Sequence, residues 1–275
     1  MTLKRPPVLA GSWYPLRAED LASTVDGYLD LADTAGRPTG RPLTAVVPHA
    51  GHTYSGPTAG RLFGLLRDWK PARIFILAPN HKQALTRLAV SGADTFATPL
   101  GEVPVDTAVA AHLADHPVFR LENSAHRPEH AVEIILPFIQ RLWPTAPPSI
   151  VPVLVPHLPA ADLEAAGNHL ADHLADGDLI LVSTDFTHFG DAFGFHPFRR
   201  DIPLEIERLD SGAILRILAG DGAGLLAYGA ETGITKCGLS AAAVALAQGF
   251  PEGYEAALID YSRSGDRDGD YTHLS

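Results

Sequence analysis

Val46-Val47-Pro48-His49-Ala50-Gly51-His52-Thr53-Tyr54-Ser55-Gly56 is the stretch on which the reading of this chain turns. A short apolar run meets a proline and opens into a loop that carries two histidines between glycines. In an α/β protein the carboxyl ends of the strands face a shared crevice where ligands bind. A histidine placed there can reach a metal or a substrate while its backbone stays anchored in the sheet. Taken alone, the two histidines are more simply read as exposed turn residues. The same grammar recurs, however: residues 73–78 run into Pro79-Asn80-His81, residues 149–155 into Pro156-His157, and residues 179–183 into Thr184-Asp185-Phe186-Thr187-His188. Four apolar strands thus end in histidine-bearing loops, more than chance placement of 13 histidines would give.

Working outward, residues 16–31 place Leu21, Val25, Tyr28 and Leu29 at helical spacing, and residues 33–42 read as a loop. Residues 43–47 predict a strand and 57–69 the helix returning from it. Residues 88–91 and 95–103 predict short strands or an edge ribbon, and Asp106 predicts the start of a helix over 106–114. A helix over 129–139, kinked at Pro137, is expected, as are helices over 159–174, 201–219, 224–228 and 238–248. Residues 255–261 predict a late strand. Strands alternating with helices predict a single α/β domain over 1–275, with a mostly parallel or mixed central sheet flanked by helices. No internal repeat, low-complexity segment or linker stands out.

Composition narrows the function. A net charge of −11 argues against nucleic acid, whose recognition needs clustered Lys and Arg. No apolar stretch is long enough for a membrane span, and Lys4 and Arg5 are not followed by a signal-type apolar segment. A soluble, cytoplasmic protein is expected. The one cysteine, Cys237, excludes an intrachain disulfide. It is either a buried inert thiol or a functional one.

Several familiar chemistries are absent. There is no HExxH, no CxxC and no GxSxG. Gly220-Asp221-Gly222-Ala223-Gly224 follows a helix rather than a strand, which removes a dinucleotide-loop reading. Asp266, Asp268 and Asp270 alternate like a calcium loop but lack the distal glutamate. They read as a solvated acidic tail.

The loop sequences taken in order resemble those of the Memo family. They are Pro48-His49-Ala50-Gly51-His52-Thr53-Tyr54-Ser55-Gly56, Ala78-Pro79-Asn80-His81, Glu129-His130-Ala131-Val132-Glu133, Ser183-Thr184-Asp185-Phe186-Thr187-His188-Phe189-Gly190 and Lys236-Cys237-Gly238. The chain is most similar to that family's bacterial branch, the AmmeMemoRadiSam system protein B. The resemblance runs over nearly the whole chain, from Gly11-Ser12-Trp13-Tyr14 to the late strand expected over 255–261. It implies a fold similar to class III extradiol ring-cleaving dioxygenases, which hold non-haem Fe(II) with two histidines and a carboxylate. It further implies His49, His81 and Cys237 as metal ligands, with Cys237 where the dioxygenases have a glutamate. Asp185 and His188 become the catalytic pair, and Glu129 and His130 stand beside the pocket. His52, His157 and His196 receive no role.

The expected cofactor is Fe(II), with Cu or Zn as alternatives that a thiolate ligand favours. The expected substrate is a small, chelating, aromatic molecule, with His188 accepting its proton. Replacing a carboxylate by a thiolate weakens the case for ring cleavage, because the thiolate is itself oxidisable. Two other classes stay open: a non-catalytic adapter that binds a peptide or protein in the same cleft, and a metal-handling protein. The resemblance also implies radical-SAM and AMME-type partner proteins.

Overall fold

The computed structural model describes residues 2–33, 40–272 and 274. The expected loop over 33–42 falls largely outside the described residues. The strands are β1 (Lys4–Arg5), β2 (Thr44–Val47), β3 (Arg73–Pro79), β4 (Leu88–Val90) and β5 (Thr95–Thr98), then β6 (Gly101–Pro104), β7 (Phe119–Leu121), β8 (Ser149–Val155) and β9 (Leu179–Ser183). The helices are α1 (Ala18–Leu29), α2 (His52–Gly64), α3 (Thr107–Leu113), α4 (Asn123–His126) and α5 (Leu136–Leu142), then α6 (Ala160–Ala171), α7 (Ile202–Leu218), α8 (Gly222–Thr232), α9 (Leu239–Ala245) and α10 (Gly265–Asp268).

The main sheet has the order β2-β9-β3-β8-β4-β7. Its first four strands are parallel, β4 is antiparallel to β8, and β7 is parallel to β4. A smaller sheet, β1-β5-β6, pairs the N-terminal strand with a hairpin. The fold class is therefore α/β with a mixed sheet.

Strand β3 shows why its sequence reads as one continuous apolar run. Ile74, Ile76 and Ala78 enter the core shared with α1, α2 and α5, while Phe75 and Leu77 enter the core shared with α6, α7, α8 and α9. A strand covered on both faces has no polar side to alternate with. On the first face α2 lies close against α1. A Cβ on Gly56 would strike the Tyr28 ring, on Gly60 the Tyr28 carbonyl, and on Gly64 the Leu29 carbonyl. Three glycines four residues apart keep one side of α2 free of side chains, which lets the backbones approach.

Three expectations need correction. Helix α2 begins at His52, not at residue 57. Gly51 O accepts from the amides of Tyr54 and Ser55, and Ser55 Oγ donates to Ala50 O. Helical bonding is thus under way before Pro57, which removes only its own amide bond. Residues 129–139 are not one helix. Glu129 and His130 lie in irregular chain, Glu133–Ile135 form a 3-10 turn, and Pro137 sits in the first turn of α5. A proline there begins a helix rather than kinking it. Residues 255–261 form no strand. Asp260 bonds to Thr58 and Tyr261 to Asp210, so side chains hold this segment. It faces β2 across a cavity of about 720 Å³.

Candidate metal centre

The parallel strands β2, β9 and β3 are neighbours, so the loops leaving their carboxyl ends emerge side by side. Val47 pairs with Ser183 at the end of β2 and β9, and the Thr184 amide donates to Val47 O at 2.8 Å. His49 follows at once and is nearly fully buried, at 1% exposure. Its amide donates to Asp185 Oδ1 at 2.7 Å, and its Nδ1 lies 2.9 Å from Ser183 Oγ. Ser183 Oγ donates its own proton to Ala131 O at 2.6 Å. It can therefore only accept from His49, which puts the ring proton on Nδ1 and leaves Nε2 as a free lone pair.

Glu129 organises the other two imidazoles. Its Oε2 accepts the His81 amide at 2.7 Å, and its Oε1 lies 2.9 Å from His81 Nδ1. Oε1 also accepts the amides of His130 and Ala131 and stands 3.2 Å from His130 Nδ1. The His81 ring is held through Nδ1, again leaving Nε2 as the outward nitrogen. Burial alone would raise the Glu129 pKa, but hydrogen bonding and charge from His81 outweigh it and bring the carboxyl down to about 2. Burial alone would lower the His81 pKa. Hydrogen bonds to Cys237 and Glu129, with the Glu129 charge, raise it to about 9. Burial dominates at His130 and takes it to about 3, so that ring is neutral.

The three rings meet. His49 and His81 centroids are 5.3 Å apart, His49 and His130 5.5 Å, and His81 and His130 4.5 Å. One nitrogen from each lies within 4.8 Å of the others. Cys237 arrives from the turn before α9, with Sγ 3.3 Å from His49 Nε2 and accepting the Asp185 amide at 3.3 Å. Gly238 allows this approach, since a Cβ there would collide with the Thr184 side chain. The Gly238 amide and the buried Lys236 ammonium both donate to Thr184 Oγ1 at 2.9 Å. Thr184 thereby ties the turn that carries Cys237 to the end of β9.

This donor set fits a transition metal. Once His81 gives up its proton, imidazoles offering Nε2 beside a sulfur ligand are donors of the kind chosen by zinc, copper and iron. Of the expected ligands, His49 and His81 share the nitrogen cluster and Cys237 lies against His49. His130, expected beside the pocket, is instead part of the nitrogen cluster. Asp185 is buried against His49, with Oδ2 3.8 Å from Nε2. Its pKa is pushed up by burial but more strongly pulled down by His49, for a net lowering.

His188 stands outside the cluster. Its Nδ1 lies 3.1 Å from Thr235 O and its ring packs on Phe193. His52, given no role, is a core residue with Nε2 2.8 Å from Ile134 O. Sequence reasoning passed over Ser183 and Trp13. A serine closing an otherwise apolar strand was the signal for Ser183. The Trp13 ring lies 4.7 Å from that of His130, forming one side of the site. The 720 Å³ cavity is a different place. It is lined by Thr184 and Asp185 but not by His49, His81 or Cys237.

Comparison with known proteins follows the same residues. Residues 5–274 match the family model described as Memo-like protein. The chain is 34% identical over 273 residues to a MEMO1 family protein of Thermococcus onnurineus, covering 94% of this chain and 92% of that one. It is 34% identical over 235 residues to the protein memo-1 homolog of Caenorhabditis elegans, covering 83% and 66%. With protein MEMO1 of Xenopus laevis it shares 34% over 208 residues, covering 73% and 69%. No helix among the described residues is long and apolar enough to cross a membrane. From the family match over nearly the whole length, the chain belongs to the Memo family.

Proposed function

We propose that this chain is a metal-dependent redox protein that holds non-haem Fe(II), or copper or zinc in its place, through His49, His81 and Cys237, with His130 as a further imidazole. One observation carries the reading: the nitrogens of His49, His81 and His130 lie within 4.8 Å of one another, and Cys237 Sγ is 3.3 Å from His49 Nε2. Bound there, iron would supply one-electron chemistry and a Lewis-acidic position for a small chelating substrate such as an aromatic diol.

The chain's own residues have separable tasks. Glu129 and Ser183 set the tautomers of the ring nitrogens. Asp185 holds the His49 backbone through its amide. His188, with Nδ1 committed to Thr235 O, offers Nε2 as the atom that receives a substrate proton. Trp13 packs its ring against that of His130.

Metal content of anaerobically purified protein tests the reading. One equivalent of iron, copper or zinc should disappear in His49→Ala, and retention should fall at least tenfold in Cys237→Ser. Oxygen uptake on adding a catechol should be lost in His188→Ala while metal is kept. Metal content indifferent to both His49 and Cys237 would sink the proposal.

A further inference from the structure

Strand β2 ends the main sheet and pairs with β9 alone. The Ile180 amide donates to Leu43 O at 2.9 Å and the Thr184 amide to Val47 O at 2.8 Å. Backbone groups alternate in direction along a strand, so Thr44 and Val46 turn their N–H and C=O groups away from β9. An edge of this kind is a template for another strand, and proteins usually blunt it with charge, proline or a cover. Thr44-Ala45-Val46-Val47 carries neither charge nor proline.

Facing it across the 720 Å³ cavity is a second stretch of backbone without a partner. Among the described residues, nothing donates to or accepts from the backbone of residues 255–259. Tyr254 and Leu258 of this segment are exposed. Gly253, with φ +84°, turns the chain into it, and Asp260 and Tyr261 tie its other end to Thr58 and Asp210. The walls between the two are apolar, with Leu62 on α2 and Ile214, Ile217 and Leu218 on α7.

We propose that β2 and residues 254–259 form the two banks of a slot that takes an extended apolar peptide strand, with a basic residue next to its apolar stretch, by addition to the β2 edge. The peptide backbone exchanges hydrogen bonds with Thr44 and Val46 on one bank and with residues 255–259 on the other, while alternate side chains turn to opposite walls. The volume lies within the range of ligand cavities, roughly 300–1,000 Å³. An alkyl chain of the same size would leave both rows of N–H and C=O groups covered without partners, so the site selects amide chemistry. The basic residue answers the charge of the lining. Glu255 has no ion-pair partner among the described residues, and Asp210 accepts from the neutral groups of Thr187 and Tyr261. Arg41 and Arg263, the cations of the lining, already face Asp176 and, for Arg263, Glu207 and Asp266.

The test uses the full chain and a fluorescein-labelled peptide, Lys-Val-Thr-Val-Ile-Val-Lys, followed by fluorescence anisotropy. Saturable one-to-one binding is expected. The same peptide N-methylated on alternate residues keeps its side chains but loses one row of donors, and should bind at least tenfold more weakly. Ile217→Glu should weaken binding by a similar factor. Should that change disturb the wall, Glu255→Ala, on the exposed bank, should still weaken it about two- to fivefold at low salt. His81→Ala should bind the peptide as the wild type does, because the slot lies apart from the metal centre. Amide exchange at Thr44 and Val46 should be fast in the free protein and slow in the complex. Four results would each overturn the proposal: no saturable binding, equal binding of the N-methylated peptide, loss of binding in His81→Ala, or Thr44 and Val46 amides already protected in the free protein. The last would mean that residues 254–259 cover the edge themselves.

Discussion

Glu129 accepts from the His81 ring and three backbone amides and lies 3.2 Å from His130 Nδ1, and its pairing with His81 makes the metal-free protein sensitive to pH. Glu129, pulled down to about 2, contributes stability that is fully present above the ordinary carboxylate range and lost as pH falls through about 2. His81, raised to about 9, contributes stability fully present below the ordinary imidazole pKa and lost as pH rises through about 9. The pair therefore helps most between roughly pH 4.5 and 6.5. Thermal unfolding of metal-free protein from pH 7 to 9, above the range in which His130 titrates in the unfolded chain, should show a falling midpoint in the wild type and a flatter profile in Glu129→Gln. A parallel decline in both would remove the pair as its cause. Because metal must displace the His81 proton, uptake at pH 7 should also release protons, measurable in weakly buffered solution.

Among the elements, the contact of α1 with α2 depends on the absence of a side chain. Gly60→Ala would drive a methyl group into the Tyr28 carbonyl, a backbone atom that cannot rotate away. The cost should be about 1–3 kcal/mol or more, as for other overpacked sites. In a chain of this size each kcal/mol lowers the unfolding midpoint by about 2–4 °C. Gly27→Ala is the control, since nothing lies near its Cβ position and the substitution should be neutral or mildly stabilising. Equal effects at the two positions would refute the close-approach account. The expected element that is clearly absent, a strand over 255–261, has the apolar run Ala256-Ala257-Leu258-Ile259 yet lacks a ladder. Pattern reports which faces suit burial, but backbone pairing needs a neighbour at hydrogen-bond distance.

Across the whole molecule, a buried ion pair links the small sheet to the segment that carries Glu129 and His130. Arg5 on β1 pairs with Glu133, and its guanidinium also donates to the carbonyls of His126 and Glu129. Glu133 in turn accepts the amides of Val8 and Leu9 and the hydroxyl of Tyr14. Arg5→Ala would strand a fully buried carboxylate and should cost about 3–5 kcal/mol in chemical denaturation. It should also loosen residues 129–131 and reduce metal retention, whereas Lys4→Ala, at an exposed pair, should do neither. Retention and stability unchanged in Arg5→Ala would show that the two sheets are not coupled in this way.

The sequence by itself determined the alternation of strands and helices, the two-sided burial of β3, and the histidines and cysteine waiting at loop starts. These are local matters: apolar runs and helical spacing are written within a few residues of one another. The start of α2 at His52 was obscured by Pro57, because a single missing amide looks like a boundary when the preceding turn cannot be seen. Only the tertiary structure decided which loops meet. The order β2-β9-β3 sets His49, Asp185 and His81 side by side, and Glu129, far from each of them in sequence, turns His130 into the same cluster. Such meetings depend on strand order and core packing between residues distant in the chain, and no local pattern encodes them.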